Sequence, residues 1–153
     1  MEHQRRSNIL IEFIAALLIL LFIYTGVTKL SEGNHFQIVL SRSPLIGHYS
    51  AIISKVLPAV ELITAFLLLL PILRKWGLIV SLILMIVFTA YISYMILFTP
   101  NLPCSCGGVL KQMTWRQHLL FNIFFTGLTV WGLWIHQRNK ILVAISRRSR
   151  TPV

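Results

Sequence analysis

The chain has 153 residues, 56% of them hydrophobic and 12% charged, with a mean hydropathy of +0.78, a balance that excludes a soluble globular domain and leaves an integral membrane protein. A crossing helix takes about 20 apolar residues, so this length allows roughly four crossings and no separate soluble domain. Fourteen Lys and Arg stand against four acidic residues, a formal net charge of +10. They sit at the ends of apolar runs, where positive charge meets anionic headgroups and sets topology, which speaks against nucleic acid as the partner. The only two cysteines form one Cys-x-Cys, which excludes a disulfide framework and leaves a single bonded or reactive pair.

In chain order, the first apolar run covers residues 9–30, with Arg5 and Arg6 before it, Glu12 near its start and Lys29 at its end. It is too long for a cleavable signal and no small-x-small site follows, so it predicts a retained signal-anchor helix. The residues from Ser31 to Lys55 are about half apolar, which predicts a segment lying on the membrane surface. A second run, 56–73, and a third, 77–98, are separated only by Arg74, Lys75 and Trp76, so they predict an antiparallel hairpin, with Pro71 helping to end the second helix. The 99–118 linker contains Pro100, Pro103, Gly107 and Gly108 around Cys104-Ser105-Cys106 and turns amphipathic before the fourth run, 119–135. The residues from His136 on carry five Lys/Arg and no acid, a basic tail at the headgroups or in water.

Sidedness follows from counting basic residues. Arg5, Arg6, Arg74, Lys75, Arg138, Lys140, Arg147, Arg148 and Arg150 fall on one side, while Arg42, Lys55, Lys111 and Arg116 fall on the other, with Lys29 at that second boundary. The positive-inside rule then predicts both termini in the cytoplasm and the Cys-Ser-Cys linker on the outer face, in an oxidising compartment.

Cys104 and Cys106 form a disulfide only if the backbone bends, and the following glycines make such a bend cheap. A small bent ring is strained, and strained exposed disulfides are the exchange-active ones, while so short a loop adds little to stability. Redox exchange is therefore the favoured reading; an inert local disulfide and a soft-metal site, for Cu(I) with Met113 and His118, remain open. Lys29 and Glu61 are predicted at similar depth on the first and second helices, as a structural ion pair or as groups that tune nearby thiols. His118, Asn122, Thr126 and Thr129 recur at helical spacing as a polar stripe directed into the bundle, with His118 either interfacial or a proton donor and acceptor in thiol exchange. Tyr91 and Tyr94 are most simply an interfacial aromatic belt, with the wall of a quinone pocket as the second reading. No metal-ligand motif is evident.

The motifs Thr25-Gly26-x-x-Lys29-Leu30, Phe36 with Ser43-Pro44-Leu45, Pro58-x-x-Glu61-Leu62 and Cys104-Ser105-Cys106-Gly107-Gly108, in this order, resemble the four-helix DoxX-like membrane proteins, and among them the methylamine-utilisation MauE family. Gly107 stands where members commonly carry Phe. The resemblance implies an all-α, four-transmembrane-helix bundle similar to quinone-coupled thiol oxidoreductases, and a part in disulfide formation in periplasmic methylamine dehydrogenase beside a thioredoxin-like partner.

Taken together, the sequence predicts a bacterial inner-membrane bundle, N-in and C-in, embedded in the lipid bilayer. Its outer-face Cys104/Cys106 pair is expected to exchange disulfides with a periplasmic thioredoxin-like or substrate protein. Lys29, Glu61 and His118 serve that chemistry in this reading, and Tyr91, Tyr94 and Asn122 border a membrane quinone. The alternatives are a copper-binding membrane protein and a non-enzymatic subunit of a membrane complex.

Overall fold

A computed structural model describes residues 2–43, 45–98 and 114–148 of the chain. All regular structure among them is helical: α1 (Glu2–Ser41), a short 3-10 turn (Gly47–Tyr49), α2 (Ser50–Leu69), α3 (Arg74–Phe98) and α4 (Trp115–Arg148). Four helices carry stretches long and apolar enough to cross a membrane, Arg6–Ser41, Gly47–Leu69, Arg74–Phe98 and Arg116–Asn139. In hydrocarbon the backbone must satisfy its own hydrogen bonds, and an unbroken helix does so.

The helices are longer than the apolar runs. α1 continues past Leu30 to Ser41, its helical dihedrals broken at Gly33, where φ is +32° and ψ is −99°. Beyond that break Phe36 and Leu40, one turn apart, are buried in the bundle, so one face of this stretch packs on the protein while Asn34, His35 and Ile38 stay exposed. α2 starts at Ser50 and keeps Pro58 inside the helix, because a proline-freed carbonyl is tolerated where neighbouring helices cover the site. Arg74 and Lys75 open α3, and the hairpin turn is made by residues 70–73, with the Leu73 amide donating to the Leu70 carbonyl at 3.0 Å. α4 runs on through the basic stretch to Arg148, since 136–148 contains neither Gly nor Pro. At 1.5 Å per residue it is about 51 Å long, well beyond a hydrocarbon core of about 30 Å.

The core is a column of Ile14, Leu18, Phe22, Ala65, Leu68, Leu78 and Met85 drawn from α1, α2 and α3, with Phe125 and Leu128 of α4 packed against it. Without a hydrophobic driving force between helices in lipid, close approach and dispersion hold the bundle, and small residues make that possible. Gly26 of α1 lies where a Cβ would meet the Leu62 side chain at 3.1 Å; Gly77 of α3 lies where it would meet the Leu68 backbone nitrogen at 2.8 Å. At the end bearing the termini, Ser7 donates to Asn139 at 3.1 Å and Asn139 donates to Asn8 at 3.1 Å, tying α1 to α4.

Gly77→Ala is expected to destabilise the α2–α3 hairpin by about 1–3 kcal/mol, because the obstructing atom is backbone and cannot swing aside. Gly127→Ala, inside α4 where a Cβ meets nothing within 4 Å, serves as the control and should be neutral to slightly stabilising. Thermal unfolding in detergent reads both; equal melting temperatures for the two variants would contradict the close approach.

Candidate functional site

Four helices enclose a cavity of about 250 Å³ in the half of the bundle away from the termini. Its lining comes from α1 (Thr25, Lys29, Phe36, Leu40), α2 (Ile53, Leu57, Glu61), α3 (Met85, Val87, Phe88, Tyr91, Ile92) and α4 (His118, Phe121, Asn122), with Leu21 and Ile46 completing it. The lining is mostly aromatic and branched aliphatic, with a few polar side chains, the composition of a small-molecule site. Val87 both lines the cavity and is 55% exposed on the bundle surface, so the wall there is one side chain thick.

The polar part is organised by one ion pair. Lys29 Nζ donates to Glu61 Oε1, joining α1 to α2; Glu61 is fully buried and Lys29 is 17% exposed. Sequence places them there through the α2 face Glu61, Thr64, Ala65 and Leu68, all of which are buried. The ammonium also stands 5.0 Å from the Phe88 ring centroid and 5.9 Å from that of Phe36, close enough for cation–π attraction. Two buried polar atoms of cavity-lining residues have no hydrogen-bond partner among the described residues, Glu61 Oε2 and Asn122 Nδ2. Buried polar groups are nearly always hydrogen-bonded, so an orphaned acceptor and an orphaned donor bordering one cavity ask for a partner inside it.

The α4 stripe turns inward. Asn122 is 4% exposed and Thr129 fully buried, Thr126 lies 3.4 Å from the Thr89 hydroxyl of α3, and His118 heads the stripe at the cavity. Tyr91 also borders the cavity, and its hydroxyl donates to the Ser43 hydroxyl at 3.1 Å, which in turn lies 4.0 Å from the Met95 sulfur. Tyr94 is set apart from the lining; its ring lies 4.9 Å from that of Phe98. Lys29, Glu61, Tyr91, His118 and Asn122 thus converge on one space. Cys104 and Cys106 lie outside the described residues, as does Met113. The linker that carries them is nonetheless tied at both ends, after Phe98 and before Thr114, to the half of the bundle that holds the cavity.

Sequence reasoning passed over Phe88 and Phe121, and gave Phe36 and Ser43 a place in a motif but none in the site. Phe88 precedes Tyr91 by three residues and Phe121 follows His118 by three, so extending each polar position by one helical turn would have found them. Ser43 had no such signal, because it lies between helices.

The model of a known family, the methylamine utilisation protein MauE, matches residues 7–135, a span that holds all four crossing stretches' apolar centres and every cavity-lining residue. The chain belongs to the MauE family. No curated protein and no solved structure matches it. Its ionisable cavity residues Lys29, Glu61 and His118 all lie inside the matched region.

Removing one partner of the buried pair leaves an uncompensated charge, so Lys29→Met is expected to destabilise by about 3–5 kcal/mol. The double variant Lys29→Met/Glu61→Leu should recover most of that loss. Unfolding in detergent measures both, and a double variant no more stable than the single one would contradict a direct, two-member pair.

Proposed function

We propose that this MauE-family protein supports disulfide formation in exported proteins, using Cys104 and Cys106 on the outer face of the bacterial inner membrane. What supports this reading is the convergence of Lys29, Glu61, His118 and Asn122 on a membrane-embedded cavity in the half of the bundle to which the cysteine linker is tied. The partner is a periplasmic dithiol protein of thioredoxin-like or substrate type, and both termini are cytoplasmic, following the excess of basic residues on that side.

The exchange balances as follows. A thiolate of the partner attacks one sulfur of the Cys104–Cys106 disulfide, forming a mixed disulfide and releasing the other cysteine as thiolate; the partner's second thiol then resolves it. The partner leaves oxidised, and the pair holds two more electrons and two more protons as a dithiol. Lys29 holds positive charge at this half of the bundle, which favours thiolate in any sulfur that approaches it. His118, at the start of α4, carries protons between the linker and the cavity.

The residues of the cavity fit a lipid-soluble quinone. Aromatic walls suit a flat ring, the unpartnered Asn122 Nδ2 is a donor for a ring oxygen, and Glu61 Oε2 is an acceptor for a ring hydroxyl. When bound, a quinone accepts the two electrons and two protons that the dithiol gives up. Tyr91 and Phe88, which line the cavity, would border such a ring and keep water from it.

With the protein in nanodiscs, a reduced dithiol peptide and a short-tailed ubiquinone, oxidation of the peptide should fall to background in both Cys104→Ser and Cys106→Ser. Asn122→Leu is expected to slow the ubiquinone absorbance change about tenfold, the loss of one buried hydrogen bond to a ligand, while single-turnover exchange with the peptide stays unchanged. Full peptide oxidation by either cysteine variant would refute the assignment.

A further inference from the structure

The cavity wall that α1 contributes beyond Lys29 is built differently from the others. Gly33 holds φ at +32° and ψ at −99°, a backbone conformation that side-chain-bearing residues rarely adopt, yet a Cβ there would meet nothing within 4 Å. The glycine is therefore demanded by backbone conformation and not by crowding. On its far side Phe36 and Leu40 face the cavity and are buried, while Asn34, His35, Ile38 and Arg42 are exposed, the mixture of a segment at the lipid–water boundary. The limb ends at Ser43, which receives the Tyr91 hydroxyl at 3.1 Å across from α3. The Ser43–Tyr91 contact is one hydrogen bond, the Ser43–Met95 approach at 4.0 Å adds a weak one, and the Ser43 carbonyl accepts from the Gly47 amide at 3.0 Å, so the limb's far end moves together with the 3-10 turn.

We infer that residues 34–43 are a strap hinged at Gly33 and latched to α3 through Ser43 and Tyr91, which swings aside to admit a lipid-soluble ligand to the cavity from the membrane boundary. The hinge separates two functions. Lys29, on the near side, stays fixed by Glu61, and Phe36 and Leu40, on the far side, leave with the strap. The cavity thus keeps its charged groups in place while it opens. Because Phe36 also faces the Lys29 ammonium at 5.9 Å, closure completes the aromatic surround of that cation. The identity of the ligand rests on the quinone reading above; the movement does not.

The test uses the full chain in lipid nanodiscs, with Cys104→Ser and Cys106→Ser removing native thiols and nitroxide labels on Ile38→Cys of the strap and Ile86→Cys of α3, both exposed positions. Pulsed electron–electron distance measurements then report the strap directly. Ser43→Ala is expected to raise the long-distance population about fivefold, as the loss of one hydrogen bond does. Gly33→Ala should make the long distance dominant, since alanine prefers to continue the helix. A distance distribution identical in the parent and both variants would overturn the strap. Short-tailed ubiquinone should shift the population back toward the short distance. A strap that moves in the variants but ignores ubiquinone upholds the hinge and refutes the quinone as its ligand.

Discussion

The buried Lys29–Glu61 pair is the constraint on which the rest of the arrangement depends. A carboxylate with no exposure, set in the second of four apolar helices, is tolerated in a membrane only if a cation meets it, and Lys29 on α1 is that cation. The pair fixes the rotation of α1 against α2, because a turn of either helix by one residue swings its charge about 100° into lipid. Once that rotation is set, Thr64, Ala65 and Leu68 follow Glu61 onto the buried face, and Gly26, one turn before Lys29 on α1, meets Leu62 closely. A hydrophobic replacement of both charges is expected to hold the helices nearly as well, so the pair is better understood as a specificity and site feature than as a source of stability.

Around that pair the bundle divides into two halves of different character. Toward the termini it is a closed column, with Ile14, Leu18, Leu68 and Leu78 in contact and Gly77 and Gly132 set against neighbouring helices. Toward the linker it opens into the aromatic cavity, where Glu61 Oε2 and Asn122 Nδ2 are left without partners among the described residues. Protein interiors are close-packed, and buried polar atoms are nearly always hydrogen-bonded, so this cavity has room and polar partners for a ligand or ordered water. The packed half is the scaffold; the open half holds the chemistry proposed for it.

Much of this was legible from the residues. Four crossings followed from apolar runs whose lengths match the bilayer, and the inward turn of His118, Asn122, Thr126 and Thr129 followed from their helical spacing. The meeting of Lys29 and Glu61 followed from depth counted along antiparallel helices, since an isolated charge in lipid has few other solutions. The path of α1 beyond Leu30 was not legible. Its residues are polar enough to read as interfacial, and a single glycine can either end a helix or bend it; only the burial of Phe36 and Leu40 shows that it bends. α2 starts at Ser50, six residues before its apolar run, because covering helices allow Pro58 inside the helix. Tyr91 and Tyr94 are alike in the sequence, and the three-residue step between them sends one to the cavity and the other to Phe98.

The account turns on an oxidised, accessible cysteine pair on the outer face. In intact cells, a membrane-impermeant maleimide applied before and after mild reductant, read as a mass shift on the peptide carrying Cys104 and Cys106, tests this most directly. Labelling of both cysteines only after gentle reduction is the predicted result. Labelling without reductant would contradict the oxidised pair, and protection until the membrane is permeabilised would contradict the orientation and with it the disulfide chemistry.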